Sequence, residues 1–183
     1  MLEENIIKHC APTLAGIKTA NLFSYRFEST DKLREELQEQ NQKLNEKGVF
    51  VEILKADDSR ALIYVYRERM LNLDLHREEA WEMLANCGYS CPGTPDCLEC
   101  LKNRLFRRED FPHEIGLFLG YPLQDVRGFI EQKGKNYKCC GLWKVYGDEG
   151  ESRKIFSRIE KCSEIYRQLF ANGIPISQLT VAA

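Results

Sequence analysis

The run VFVEILKADDSRALIYVYRER, residues 49–69, constrains this chain most. Two stretches rich in β-branched and aromatic residues flank the polar turn Asp57-Asp58-Ser59. So short a connection joins strands only as an antiparallel hairpin, because a parallel pair needs a crossover of a dozen residues or more. A second alternating run, LFSYRFES at 22–29, predicts a further strand. GLWKVYG at 141–147 reads as another, and ISQLTVAA at 176–183 as a final edge strand.

Between these runs lie helical patterns. TDKLREELQEQNQKLNEKG has Thr30 or Asp31 to cap it, Glu39 and Lys43 at i,i+4, and Gly48 to end it. REEAWEMLANCGY and DCLECLKNRLF form two more helices around a Pro/Gly loop. In ESRKIFSRIEKCSEIYRQLFANG, the residues Ile155, Phe156, Ile159, Cys162, Ile165, Tyr166, Leu169 and Phe170 share one stripe, which makes Cys162 a core cysteine. Residues 3–9 open with a short helix that Pro12 interrupts. Strands broken by helices without βαβ regularity predict an α+β fold in one domain, 1–183. The expected core is a mostly antiparallel sheet of about four to five strands with helices packed on it.

Net charge is −2, which argues against a protein that coats nucleic acid and disfavours nucleic-acid partners generally. The longest apolar run, ALIYVY, falls far short of a membrane span, and MLEENIIKHC has no apolar leader. A cytoplasmic protein without membrane partners is expected. Its eight cysteines then need a reason other than disulfides. Metal binding, redox chemistry and plain burial compete.

FPHEIGLFLGYPLQDVRGFIEQKGKN, residues 111–136, predicts a helical hairpin at 111–131. Pro112 and Pro122 each suit a first helical turn, with Gly120-Tyr121 between. At 100° per residue, His113, Gly116 and Gly120 share a stripe that either a neighbouring element or a ligand fills. An imidazole in a first turn is favoured neutral, which suits a base or a metal ligand. The same spacing fits a helix-turn-helix offering Gln124, Arg127, Lys133 and Lys135 to DNA, but Asp125 would oppose phosphate there.

Cys87, Cys91, Cys97 and Cys100 in CGYSCPGTPDCLEC could wrap zinc or an iron-containing cofactor such as an iron–sulfur cluster. The alternative is reduced cysteines around a loop. HCAPT puts Cys10 beside His9 and ahead of Pro12, with the look of a redox thiol at a helix N-terminus. His113 is its candidate base.

HCAPTLAGIKTANLF, LIYVYR, FPHEIGLFLGYPLQDVRGFI, GKNYKCCGLWKVYGD and Cys162 together resemble an uncharacterised bacterial family, domain of unknown function 3793, found mainly in anaerobes. The resemblance spans nearly the whole chain and implies no established activity, cofactor or catalytic residue. His9, Cys10, His113, Glu114 and Cys140 lie inside the blocks that carry it. The Cys87–Cys100 cluster does not.

Two functional expectations follow. One is thiol-redox chemistry, or metal or cofactor binding, by Cys10 and His113 as catalytic pair, with His9, Glu114, Gly116, Gly120 and Cys140 around the cofactor and a redox partner implied. The other is a non-catalytic module that binds DNA or a protein partner through the 111–131 hairpin.

Overall fold

The computed structural model describes residues 1–90, 93–107 and 111–182. They form two compact units, Met1–Leu71 with Lys161–Ala183, and Asn72–Glu160.

The first unit is built on the predicted hairpin. Strands β1 (Ala20–Arg26), β2 (Val49–Ala56) and β3 (Arg60–Arg67) form an antiparallel sheet in the order β1-β3-β2. In the hairpin turn the Asp57 carboxylate accepts from the N–H of Ser59 and, at 2.8 Å, of Arg60. Those bonds hold its carboxyl below the usual range. Phe23 and Ile53 both stand opposite Ile63. Helices α1 (Leu2–Leu14) and α2 (Thr30–Leu44) cover that face. Leu2, Ile6, Cys10 and Leu14 of α1, with Leu33 and Leu44 of α2, close over Phe23, Val51, Ile63 and Val65. Each such aliphatic side chain contributes roughly 1.5–3 kcal/mol by leaving water.

Three expectations need correction. Pro12 does not interrupt α1, which runs on to Leu14. It removes only the bond to the carbonyl of Lys8, an exposed residue, while the buried face holds the helix. The extra edge strand at 176–183 is absent, because Ile176–Leu179 form a short helix whose Ile176 and Leu179 join the core. Among the described residues the main sheet therefore has three strands rather than four to five.

Arg67 ends the row Ala61, Ile63, Val65 on the helix-covered face and is 2% exposed. Its guanidinium donates to the carbonyls of Thr13 (2.6 Å), Leu14 (2.6 Å) and Val181 (2.7 Å). Thr13 and Leu14 are at the C-terminal end of α1, where carbonyls lack helical partners and the helix dipole favours a cation. Gly16, at φ +73°, turns the chain beside that guanidinium.

The second unit holds α4 (Glu78–Asn86), α5 (Thr94–Phe106), α6 (Ile115–Phe118) and α7 (Leu123–Glu131), then the two-residue strands β4 (Cys139–Cys140) and β5 (Lys144–Val145). Helices α3 (Glu68–Leu75) and α8 (Glu149–Ala171) each begin in one unit and end in the other. Along α8 only Ser152, Phe156 and Ile159 are buried, Cys162 is half-buried, and Ile165 is exposed. The apolar stripe on this helix is thus more exposed than its periodicity implied.

Candidate functional site

The quoted hairpin exists, but its first arm is a single turn. His113 precedes α6 rather than lying on it. Gly116 is filled by its neighbour, since a Cβ there would meet a Val126 methyl at 2.8 Å. Gly120, at φ +70°, serves the turn, where the Tyr121 N–H reaches the Gly116 carbonyl at 2.9 Å. Of the two occupants the stripe allowed, a neighbouring helix fills it at Gly116.

A pocket of about 310 Å³ opens beside this contact instead. His113, Gly116 and Cys140 line it, together with Tyr121, Phe129, Trp143 and Lys144. Its walls are aromatic. Trp143 stacks on Tyr121 at 4.8 Å and meets Phe156 edge-on at 4.5 Å. His113 tilts against Phe129 at 4.9 Å. The Lys144 ammonium lies over the rings of Phe129 and Tyr137 and donates to the Gly134 carbonyl at 2.7 Å.

Asp125 fixes this arrangement. It is 3% exposed, in the first turn of α7. One carboxylate oxygen accepts from the N–H groups of Tyr146 and Gly147 at 2.7 Å, and the other from the Trp143 indole at 2.7 Å. The side chain that would have opposed DNA phosphate thus holds the β5 segment on α7. Gly128 and Gly141 permit close approach. A Cβ at Gly128 would sit 2.4 Å from the Tyr146 ring, and one at Gly141 2.3 Å from the Phe156 ring. Gln124 packs toward Gly147, where a Cβ would meet its amide oxygen at 2.9 Å.

The other candidates fall elsewhere. Glu114 does not line the pocket. It is buried, accepts from the Arg104 guanidinium at 2.6 Å and from the Tyr89 hydroxyl at 3.2 Å. Arg104 also donates to the carbonyl of Cys87 at 2.8 Å, just past α4. Burial and then Glu114 push the Tyr89 hydroxyl and the Cys87 thiol upward.

Cys97 is buried and Cys100 half-buried on α5, while Cys91 lies outside the described residues. Among the described residues no three His, Cys, Asp or Glu side chains converge as a metal site would require. Cys87, Cys97 and Cys100 are thus not gathered as ligands.

Cys10 belongs to the first unit and His113 to the second. Cys10 is fully buried in the C-terminal half of α1, not at its N-terminus, so the helix dipole gives its thiolate no help. Burial pushes the thiol strongly upward, against a weaker pull from Lys18. Lys18 is itself buried, donates to the Ala20 carbonyl, and has a pKa lowered to about 8 by desolvation. His9 stacks on Phe23 at 5.2 Å, and burial and the Lys8 charge lower its pKa.

These environments predict an order of thiol reactivity. Cys140 is exposed and reacts with iodoacetamide in the native protein, whereas Cys10 and Cys97 react only on unfolding. Peptide mass mapping reads this directly. Native labelling of Cys10 in step with Cys140 would contradict it.

With the site drawn, the chain can be compared with known proteins. The family described as protein of unknown function (DUF3793) matches residues 6–180. The chain belongs to this family. No curated protein and no solved structure matches it. No helix among the described residues is long and apolar enough to cross a membrane.

Family membership names no site residue. Within this DUF3793 chain, the pocket gathers three of the residues expected from sequence and adds Tyr121, Asp125, Phe129, Trp143 and Lys144. In the sequence, Trp143 reads as a strand residue, Phe129 as hairpin core and Tyr121 as part of the turn. The signal available was aromatic density around GKNYKCCGLWKVYG, where aromatic and lysine residues interleave.

Proposed function

We propose that this protein is a cytoplasmic binding protein for a small planar molecule, held in the aromatic pocket of the second unit. The observation that carries this reading is the pocket itself. Its volume of about 310 Å³ is at the small end of ligand sites, and its rings come from three separate segments, at His113, at Tyr121 with Phe129, and at Trp143, which Phe156 backs edge-on. Flat aromatic walls favour stacked or edge-on rings in an occupant. His113 supplies a ring nitrogen at the rim for one directional hydrogen bond. The reading retains His113, Gly116 and Cys140 from the sequence expectations. It does not use Cys10, whose buried thiol suits packing.

The test is a titration with N-phenylnaphthylamine, a neutral dye that fluoresces in apolar surroundings. The wild type should show saturable binding at one site. Cys140→Trp, which places an indole across the mouth, should abolish it while circular dichroism remains native. No saturable binding, or unchanged binding by Cys140→Trp, would overturn the reading.

A further inference from the structure

The pocket rim carries a charge that the rest of the protein does not. From Gln132 to Gly147 the chain contains Lys133, Lys135, Lys138 and Lys144 and no acidic residue, within a protein of net charge −2. Lys144 lines the pocket, and its ammonium hydrogen-bonds the carbonyl of Gly134 and lies 4.8 Å from the Tyr137 ring centre. The Lys133–Lys138 loop is therefore pinned to the pocket wall by a pocket residue. That loop is not slack. Lys133 and Asn136 hold positive φ, at 50° and 55°, a conformation side-chain-bearing residues adopt sparingly. Lys133, Lys135 and Lys138 are exposed at this edge. Lys138 is held there by its bond to the Gly147 carbonyl.

Among the lining residues there is one carboxylate. Asp125 carries it, with both carboxylate oxygens already accepting hydrogen bonds. A ligand anion is repelled by Asp125 and attracted to the lysines. The pocket thus has an aromatic interior and one cationic edge.

We propose that the occupant is a planar aromatic anion, a phosphate ester or a carboxylate, whose ring lies between the walls of Trp143 and Phe129 and whose charged group meets Lys144 and the Lys133–Lys138 loop. This assignment rests on the pocket reading above and adds the charge of the ligand. Lysine ammonium groups bind such an anion as point charges, so affinity depends on salt.

A matched pair of dyes separates the two claims. Anilinonaphthalene sulfonate is N-phenylnaphthylamine with one added sulfonate. In low salt the wild type should bind the sulfonate about tenfold more tightly, the size expected of one or two charge-assisted contacts. Raising the salt should erase most of that advantage. The double variant Lys133→Gln/Lys135→Gln, at exposed positions, should lose the advantage while its affinity for the neutral dye stays unchanged. Lys144→Gln should lose it as well. Displacement by naphthyl phosphate, naphthoate and naphthol then assigns the anion, and the stronger of the two anionic competitors names the class.

If the neutral dye binds but the sulfonate has no advantage, the anion assignment is overturned and the pocket reading stands. An advantage that survives in both lysine variants overturns the assignment, as does naphthol competing as well as either anion. If neither dye binds, both claims are overturned.

Discussion

Arg67→Ala will lower the stability of the first unit by about 3–5 kcal/mol, the loss expected when a buried charged hydrogen-bonding group is removed. The guanidinium fork spans Thr13, Leu14 and Val181, three carbonyls that no other single side chain of this size could join. Without it, Thr13 and Leu14 lose a charged donor at the end of α1, and the terminal segment keeps the Val181 N–H bond to Leu14 and the Lys47 bond to the Thr180 carbonyl. For a chain of 183 residues the corresponding drop in Tm is roughly 10 °C. Arg67→Lys should recover only part of it, because an ammonium lacks the planar fork. Hydrogen exchange at the Val181 amide should rise ahead of global unfolding. A Tm within about 2 °C of wild type for Arg67→Ala would show that the clasp contributes little.

Asp125→Ala will have an effect of similar size on the second unit, about 3–5 kcal/mol, because three donors lose their acceptor at once. Two of these are the backbone N–H groups of Tyr146 and Gly147, and the third is the Trp143 indole. Asp125→Asn should be nearly as damaging. Its amide has one oxygen, and its NH2 would face donors. Trp143 fluorescence should shift to the red as the wall it forms loosens, and dye binding should fall with it. Stability and dye affinity in Asp125→Asn equal to wild type would remove Asp125 as the keystone of the pocket.

The sequence conveyed the hairpin 49–69 and helix α2 well, since their periods and turn residues are local properties. It conveyed the outer sheet less well. ISQLTVAA reads as a strand by composition, yet Ile176 and Leu179 lie i,i+3 on a helix because the core needs both there. Cys10 illustrates the same limit for function. Beside His9 and Pro12 it resembles a reactive thiol, and only the burial of the whole α1 face shows it to be a packing residue. His113, Gly116 and Cys140 were legible because a histidine, a glycine and a cysteine are unusual in apolar blocks. Their assembly with Trp143 and Lys144 was not, because it depends on Asp125 joining segments some twenty residues apart. A buried carboxylate that satisfies backbone donors looks in sequence like any surface aspartate.

An occupant of the aromatic pocket in the second unit should shield the thiol at its wall. Alkylation of Cys140 by iodoacetamide, with and without saturating N-phenylnaphthylamine, measures this directly, because Cys140 lines that pocket and is exposed. The dye should slow labelling of Cys140 about tenfold while Cys139 and Cys162 keep their rates, as an occupant that covers one thiol requires. An unchanged Cys140 rate under saturating dye would contradict this occupancy.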